Sequence, residues 1–198
     1  KTLKELKNIR EIRNLGVSLI HEDRMTYGVS VKMPIYENIM ADQYYSSKYC
    51  SNGLINIKKE KEVVNKYVKD FMIKCDSINS NVNTLSGGNI QKVVAAREFS
   101  STPKFLLACH PTRGIDIGAA EIIRNKIIEL RDNFQTGVLL ISADLTELLA
   151  VSDSIAVIYD GEIVAYFENT NNLSESDLGE YMLGLKKQNK YEKGVGLK

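Results

Sequence analysis

Leu85-Ser86-Gly87-Gly88-Asn89-Ile90-Gln91-Lys92 is the stretch on which the reading of this chain turns. It predicts a helix that begins near Ser86 and runs to about Phe99. Two consecutive glycines at a helix start leave the backbone unshielded. The first-turn N–H groups have no intrahelical partner. They carry the positive end of the helix dipole and so favour an anion, preferably a phosphate. Ser86 can cap the helix and also offer its hydroxyl to a phosphate oxygen. The competing reading is a flexible Gly-Gly loop that starts a helix and binds nothing.

Upstream, residues 76–84 (DSINSNVNT) are a polar loop. Before it, Val64, Tyr67, Val68, Phe71, Met72 and Cys75 fall at helical spacing and predict one apolar face, with Lys59, Glu60, Lys61 and Glu62 solvated ahead of it. Pro34 suits the first turn of a short helix carrying Ile35, Ile39 and Met40. Val17–Ile20 reads as a strand that ends in the polar turn His21–Arg24. Downstream, Phe105–Cys109 is a continuous apolar run that suits a buried parallel strand, closed by Pro111. Ile117–Arg131 reads as a helix with Ile123, Ile127 and Leu130 on one side. Val138–Ser142, after Gly137, reads as a second buried strand, and 144–151 as helix. Ile155–Tyr159 and Glu162–Phe167 form a hairpin around Asp160-Gly161. A loose, Lys-rich tail is expected from Lys186. This order is α/β with a helical insertion at roughly 29–84.

Of the 198 residues, 43% are apolar and 26% charged, enough to bury a core. Twenty-six Lys+Arg against 25 Asp+Glu give a net charge of +1, which argues against a dedicated nucleic-acid binder. No apolar run is long enough to span a membrane. The opening KTLKELKNIR is charged and lacks an apolar core, so it does not read as a signal peptide. Cys50, Cys75 and Cys109 form no CxxC, and free thiols in a reducing cytosol are the simplest expectation. His21 and His110 are far apart, and a zinc site has no support.

LSGGN-x-QK, followed by an apolar strand and Pro111-Thr112-Arg113-Gly114-Ile115-Asp116, resembles the ABC-transporter ATPase family. The match is nearest to its sugar and nucleoside importer branch, whose ATPase subunits carry two nucleotide-binding domains in one chain. Glu22-Asp23-Arg24 resembles the EDR of the family's Q-loop, and Glu37-Asn38 the pair that follows it. Pro111–Ala119 is similar to the segment after Walker B. Ser142–Leu145 sits where the switch region ends a strand, and Asp153–Val164 resembles the closing hairpin. PTRGID with EDR is typical of the second of the two domains. The resemblance implies an α/β, partial P-loop NTPase (RecA-like) core with an inserted α-helical subdomain. It divides the chain into the end of the first lobe with the Q-loop (1–28), the helical subdomain ending in the signature helix (29–97), the remaining core (98–170), and a C-terminal helix with the Lys-rich tail (171–198). A P-loop needs G-x-x-x-x-G-K-[ST], and none of the 13 glycines precedes a lysine. The resemblance therefore puts Walker A upstream of Lys1.

Residue by residue, the resemblance makes Ser86, Gly87, Gly88 and Asn89 contacts to ATP held by the other nucleotide-binding domain of the same subunit. Asp116 matches the D-loop aspartate and can also cap the following helix. Glu22 stands at the Q-loop glutamine position, or is simply a solvated loop residue. Cys109-His110 replaces the Asp-Glu that ends Walker B. A soft thiol is a poor Mg²⁺ ligand, and His110 without that ligand is a weak replacement for the base. A core thiol and a polar strand-end histidine are the plainer readings of the two. Ala143 replaces the switch histidine. No catalytic residue is then intact, and the chain alone is expected to lack ATPase activity. The full-length assembly would use ATP and Mg²⁺, sit peripherally on the cytoplasmic face of the membrane, and work with membrane-spanning permease subunits and, indirectly, a solute-binding protein, but not with nucleic acid. Tyr36, Tyr44 and Tyr45 either line a groove for a permease helix or are core, the reading favoured here. Competing functions are a soluble ABC-type ATPase of translation or DNA repair, and a non-catalytic regulatory ABC domain.

Overall fold

The computed structural model describes residues 8–188, which fall into two compact units divided between Ile141 and Ser142. The first unit runs α1 (Ile9–Asn14), β1 (Val17–Ile20), α2 (Ile35–Met40), β2 (Cys50–Ser51), β3 (Leu54–Ile55), α3 (Ile57–Asp70), α4 (Gly87–Ser100), β4 (Phe105–Cys109), α5 (Ile117–Phe134) and β5 (Gly137–Ile141). Its main sheet has the order β1-β4-β5, all parallel, with Val17 opposite Phe105 and Phe105 opposite Gly137. Parallel neighbours need a long crossover. Between β4 and β5 that crossover is α5. Between β1 and β4 it is everything from α2 to α4, so the helical insertion is an enlarged crossover. The core joins Ile20, Leu106 and Ala108 of the sheet to Val93–Ala96 of α4 and Ile123 and Ile127 of α5. α4 packs against β1, α2, α3 and α5, and is therefore buried nearly all round.

β1, α2, α4 and β4 stand where the sequence predicts them, and α5 runs on to Phe134. Several expectations need correction. The helical apolar pattern suggests a helix reaching Cys75, but α3 ends at Asp70. Met72 turns to φ +49°, and the Ile73 N–H closes the turn on Val68 O at 2.9 Å. Phe71 is buried in the loop, its ring 5.8 Å from that of Phe99, so tertiary burial rather than helix accounts for its place in the pattern. Among the described residues the second strand, expected to be buried, pairs on one side only, with β4, and Leu139 and Ile141 are 51% and 47% exposed. A small hairpin, β2–β3, turns on Asn52-Gly53, both at positive φ as such a turn requires. Tyr44 lies exposed and edge-on to Tyr45, over which Arg10 sits at 4.5 Å; among the described residues the fully buried tyrosine is Tyr49.

The second unit comprises α6 (Leu145–Val151), β6 (Ile155–Tyr159), β7 (Glu162–Phe167) and α7 (Glu175–Met182). The predicted hairpin is present, turning at Asp160-Gly161. Its core is Ile155, Val157, Val164, Ala165 and Leu178. A reciprocal cap between Ser174 and Asp177 starts α7. Residues 186–188 are not loose: Gln188 N–H donates to Val164 O at 2.9 Å and its Oε1 accepts from Tyr166 N–H at 2.7 Å. The rest of the Lys-rich tail lies outside the described residues. Among the described residues no helix is long and apolar enough to cross a membrane, and all three cysteines are free thiols.

One group in the first unit titrates against the fold. Glu60, expected to be solvated, is instead only 4% exposed in the first turn of α3, and its Oε1 has no hydrogen-bond partner. Burial, and then the charge of Glu37, raise its carboxyl above the ordinary range. A raised folded pKa favours the native state fully below the unfolded value, and that advantage is lost as pH rises through the folded value. Glu60→Gln is therefore expected to raise the denaturation midpoint at pH 7 and leave it unchanged near pH 4. A midpoint at pH 7 at or below that of the unsubstituted chain contradicts this.

Candidate functional site

α4 begins as the sequence predicts. Ser86 adopts extended φ/ψ, and its Oγ accepts from the Asn89 N–H at 3.4 Å and from Asn89 Nδ2 at 3.0 Å. The glycine pair has neighbours that sequence reasoning did not foresee. A Cβ on Gly87 would lie 3.0 Å from Arg24 Nη2, and a Cβ on Gly88 would lie 2.9 Å from Asp116 Oδ2. The missing side chains thus admit this chain's own guanidinium and carboxylate against the helix start.

Each of those groups is held from behind. Asp23 Oδ1 accepts from the N–H groups of Met25 and Thr26 at 3.0 Å and caps a single wide helical turn, Arg24–Gly28. From that turn Arg24 donates to Arg113 O at 2.8 Å and to Gly114 O at 3.3 Å. Asp116 caps α5 through the Ala119 N–H at 2.9 Å. That backbone hydrogen bond foremost lowers its pKa, so it stays charged. Gln91, fully buried, donates to Pro111 O at 2.7 Å and ties α4 to the segment after β4. The Glu22–Arg113 ion pair is exposed and contributes little to stability. Asn38 is a scaffold residue: buried, it accepts from Ser30 N–H at 2.7 Å and donates to Ser30 O and Pro34 O, both at 3.0 Å.

The turn that carries Arg24 borders an open surface pocket of about 420 Å³, lined by His21, Glu22, Asp23, Arg24, Met25, Arg113 and Gly114. The structure thus gathers Ser86, Gly87, Gly88, Asn89 and Asp116 at one place, with Glu22 joined to the same loop through Arg113. Ala143 is an exposed residue of the second unit, just before the Asp144 cap of α6.

At the end of β4, Cys109 is half-buried. Burial first, then the charge of Glu22, push its thiol up, so it stays protonated near neutral pH. His110 follows at φ +47°, its N–H donating to Ile141 O at 2.7 Å. Among the described residues no group of three or more His, Cys, Asp or Glu could hold a metal ion. A protonated thiol and an imidazole do not fit Mg²⁺, which takes hard oxygen ligands. The front of α4 is different. The Ser86 hydroxyl, the first-turn amides and the Arg24 guanidinium are donors and positive charge in one place, which suits an anionic oxygen.

Comparison with known proteins adds a second line. No family model matches the chain. The Guanosine import ATP-binding protein NupO of Bacillus subtilis is 35% identical over 183 residues, 91% of this chain and 36% of that protein. The Xylose import ATP-binding protein XylG of Thermoanaerobacter pseudethanolicus is 40% identical over 152 residues, 77% of this chain and 30% of that protein. The chain spans about a third of the length of the curated relatives it matches. Among solved structures, a dimeric ATP-binding cassette in a post-hydrolysis state, bound to ADP and Pi, matches with a TM-score of 0.71 at 19% identity, covering 85% of this chain and 70% of that one.

Proposed function

We propose that the chain belongs to the ABC-transporter ATPase family, in its sugar and nucleoside importer branch, and serves in the ATP-binding subunit of an importer for sugars or nucleosides. Its fold is an α/β RecA-like P-loop NTPase core with helical insertions. Within the subunit this segment gives the front of α4 to ATP held by a partner nucleotide-binding domain. ATP, with Mg²⁺, supplies the phosphoryl group whose transfer to water drives uptake. Ser86 and the amides of Gly87 and Gly88 orient the phosphate oxygens and stabilise their charge. Arg24 and Asp116 hold the loops on either side of the glycines. The end of β4, with Cys109 and His110, turns nothing over. The subunit sits peripherally at the cytoplasmic face of the membrane against permease subunits, which receive solute from a binding protein.

The observation that carries this reading is the constellation at α4: a capped helix start with two side-chain-free positions and a guanidinium beside the first. The nature of the relatives favours an importer over an ATPase of translation or repair. The test is transport. Reconstituted at full length with its permease subunits in vesicles, the protein is expected to drive ATP-dependent uptake of a radiolabelled sugar or nucleoside. Association with ribosomes or DNA, without ATP-dependent uptake from a panel of both solute classes, overturns it.

A further inference from the structure

We propose that Asn89 is a positioning residue: fixed by the main-chain N–H of Lys74, its side chain keeps the Ser86 hydroxyl a hydrogen-bond donor facing away from α4. This rests on the reading of Leu85–Lys92 as a segment that contacts nucleotide, and it places the control of that contact in the loop that follows α3.

Donor and acceptor polarity fixes the orientation of the Asn89 carboxamide. The Lys74 N–H can only donate, and it donates to Asn89 Oδ1 at 2.9 Å. The other end of the carboxamide must then be Nδ2, which also can only donate, and it lies 3.0 Å from Ser86 Oγ. The Asn89 N–H approaches the same oxygen at 3.4 Å. Two N–H donors on one hydroxyl oxygen take up its lone pairs, so its own hydrogen is left to donate elsewhere. A hydroxyl held this way accepts nothing further and suits a pure acceptor such as a phosphoryl oxygen.

The loop that starts this relay is itself anchored. Phe71 is buried with its ring 5.8 Å from that of Phe99. Met72 reverses the chain at φ +49°. Lys92, nearly buried in the second turn of α4, donates its Nζ to Met72 O at 3.1 Å. Burial lowers the Lys92 pKa more than the charge of Asp116 raises it. The loop after α3 is thus strapped to α4 at Asn89 and at Lys92, and a displacement of that loop releases the Asn89 carboxamide to rotate.

A capping role for Asn89 makes the opposite prediction from a positioning role. It stands at the third helical position, where a carboxylate is as good for the helix start as an amide, or better. Asn89→Asp should then be harmless if Asn89 only caps. In the relay, the carboxylate introduced by Asn89→Asp can accept but not donate, so the Ser86 hydroxyl turns inward to it and is lost to the phosphate. The experiment uses the full-length subunit in its transport complex, with Ser86→Ala, Asn89→Asp and the double variant. Asn89→Asp is expected to lower kcat about tenfold or more, with KM for ATP within about threefold. Its thermal midpoint should not fall. In the Ser86→Ala background the second substitution should cost less than about twofold, because it acts through the hydroxyl already removed. Asn89→Asp at unchanged kcat, with Ser86→Ala reduced, overturns the relay and leaves the site reading intact. An undiminished Asn89→Asp effect in the Ser86→Ala background means that Asn89 acts on the nucleotide itself, and also overturns the relay. Ser86→Ala at full turnover overturns the site reading and the relay together.

Discussion

Ser86→Arg in the full-length subunit, assembled with its permease, is expected to lower ATP turnover about a hundredfold or more. A donor aimed in advance at developing charge contributes on the order of 3–4 kcal/mol to the barrier in comparable oxyanion sites. The substitution removes that donor. It also brings a long side chain to a place where the next two residues have none and where Arg24 already lies 3.0 Å from the point a Gly87 Cβ would occupy. Loss of the cap should cost only about 1 kcal/mol of stability, so the variant should fold and its defect should be one of turnover. Cys109→Asp with His110→Glu should change turnover by less than about threefold. The groups restored there belong to an end of β4 assigned no turnover, and the second must occupy the φ +47° backbone that histidine tolerates better than glutamate. Near-normal turnover with Ser86→Arg sinks the assignment of α4 to the nucleotide. A large gain on restoring Asp and Glu sinks the division of labour between the two domains.

What the sequence showed and what it hid follow one physical rule. Ser86 and the helix behind it were legible because capping is local, a matter of residues within one turn. The glycine pair was legible as an unshielded helix start, but not as a seat for Arg24 and Asp116, because both are remote in sequence and reach it only through the fold. The end of α3 misled because Phe71 continues the helical spacing while being buried from a loop; periodicity records burial, not hydrogen bonding. Asn52-Gly53 is a turn signal without flanking support, since its two-residue strands leave no alternation on either side. The Lys74 contact has no sequence signature at all: its donor is a main-chain N–H, which every residue but proline carries.

Glu98→Ala should destabilise the first unit by about 3–5 kcal/mol, since it leaves buried charge without its partner. Glu98 is fully buried near the end of α4, 0% exposed. Its carboxylate accepts from the Leu19 N–H of β1 at 3.0 Å and from Arg97 Nε at 2.9 Å, and forms an ion pair with Arg13 of α1. Asp42 lies 3.3 Å from the Arg13 guanidinium and 3.6 Å from that of Arg97, with a side chain 30% exposed. Burial alone would lower the Arg13 pKa, but the hydrogen bond and charge of Glu98, with the charges of Asp42 and Tyr45, together outweigh it and raise it overall. Two cations therefore depend on one buried carboxylate, with a second at the rim. Removing Glu98 also orphans the Leu19 amide and loosens α4 from the strand that leads to Arg24. Glu98→Gln keeps an acceptor for that amide and should cost less. Asp42→Asn, at the wetter end, should cost about 1 kcal/mol or less. Chemical denaturation reads all three as shifts of midpoint at constant slope. If Glu98→Ala falls within about 1 kcal/mol of the unsubstituted chain, burial of the pair was offset by water or by local collapse, and this network does not hold α4 in place.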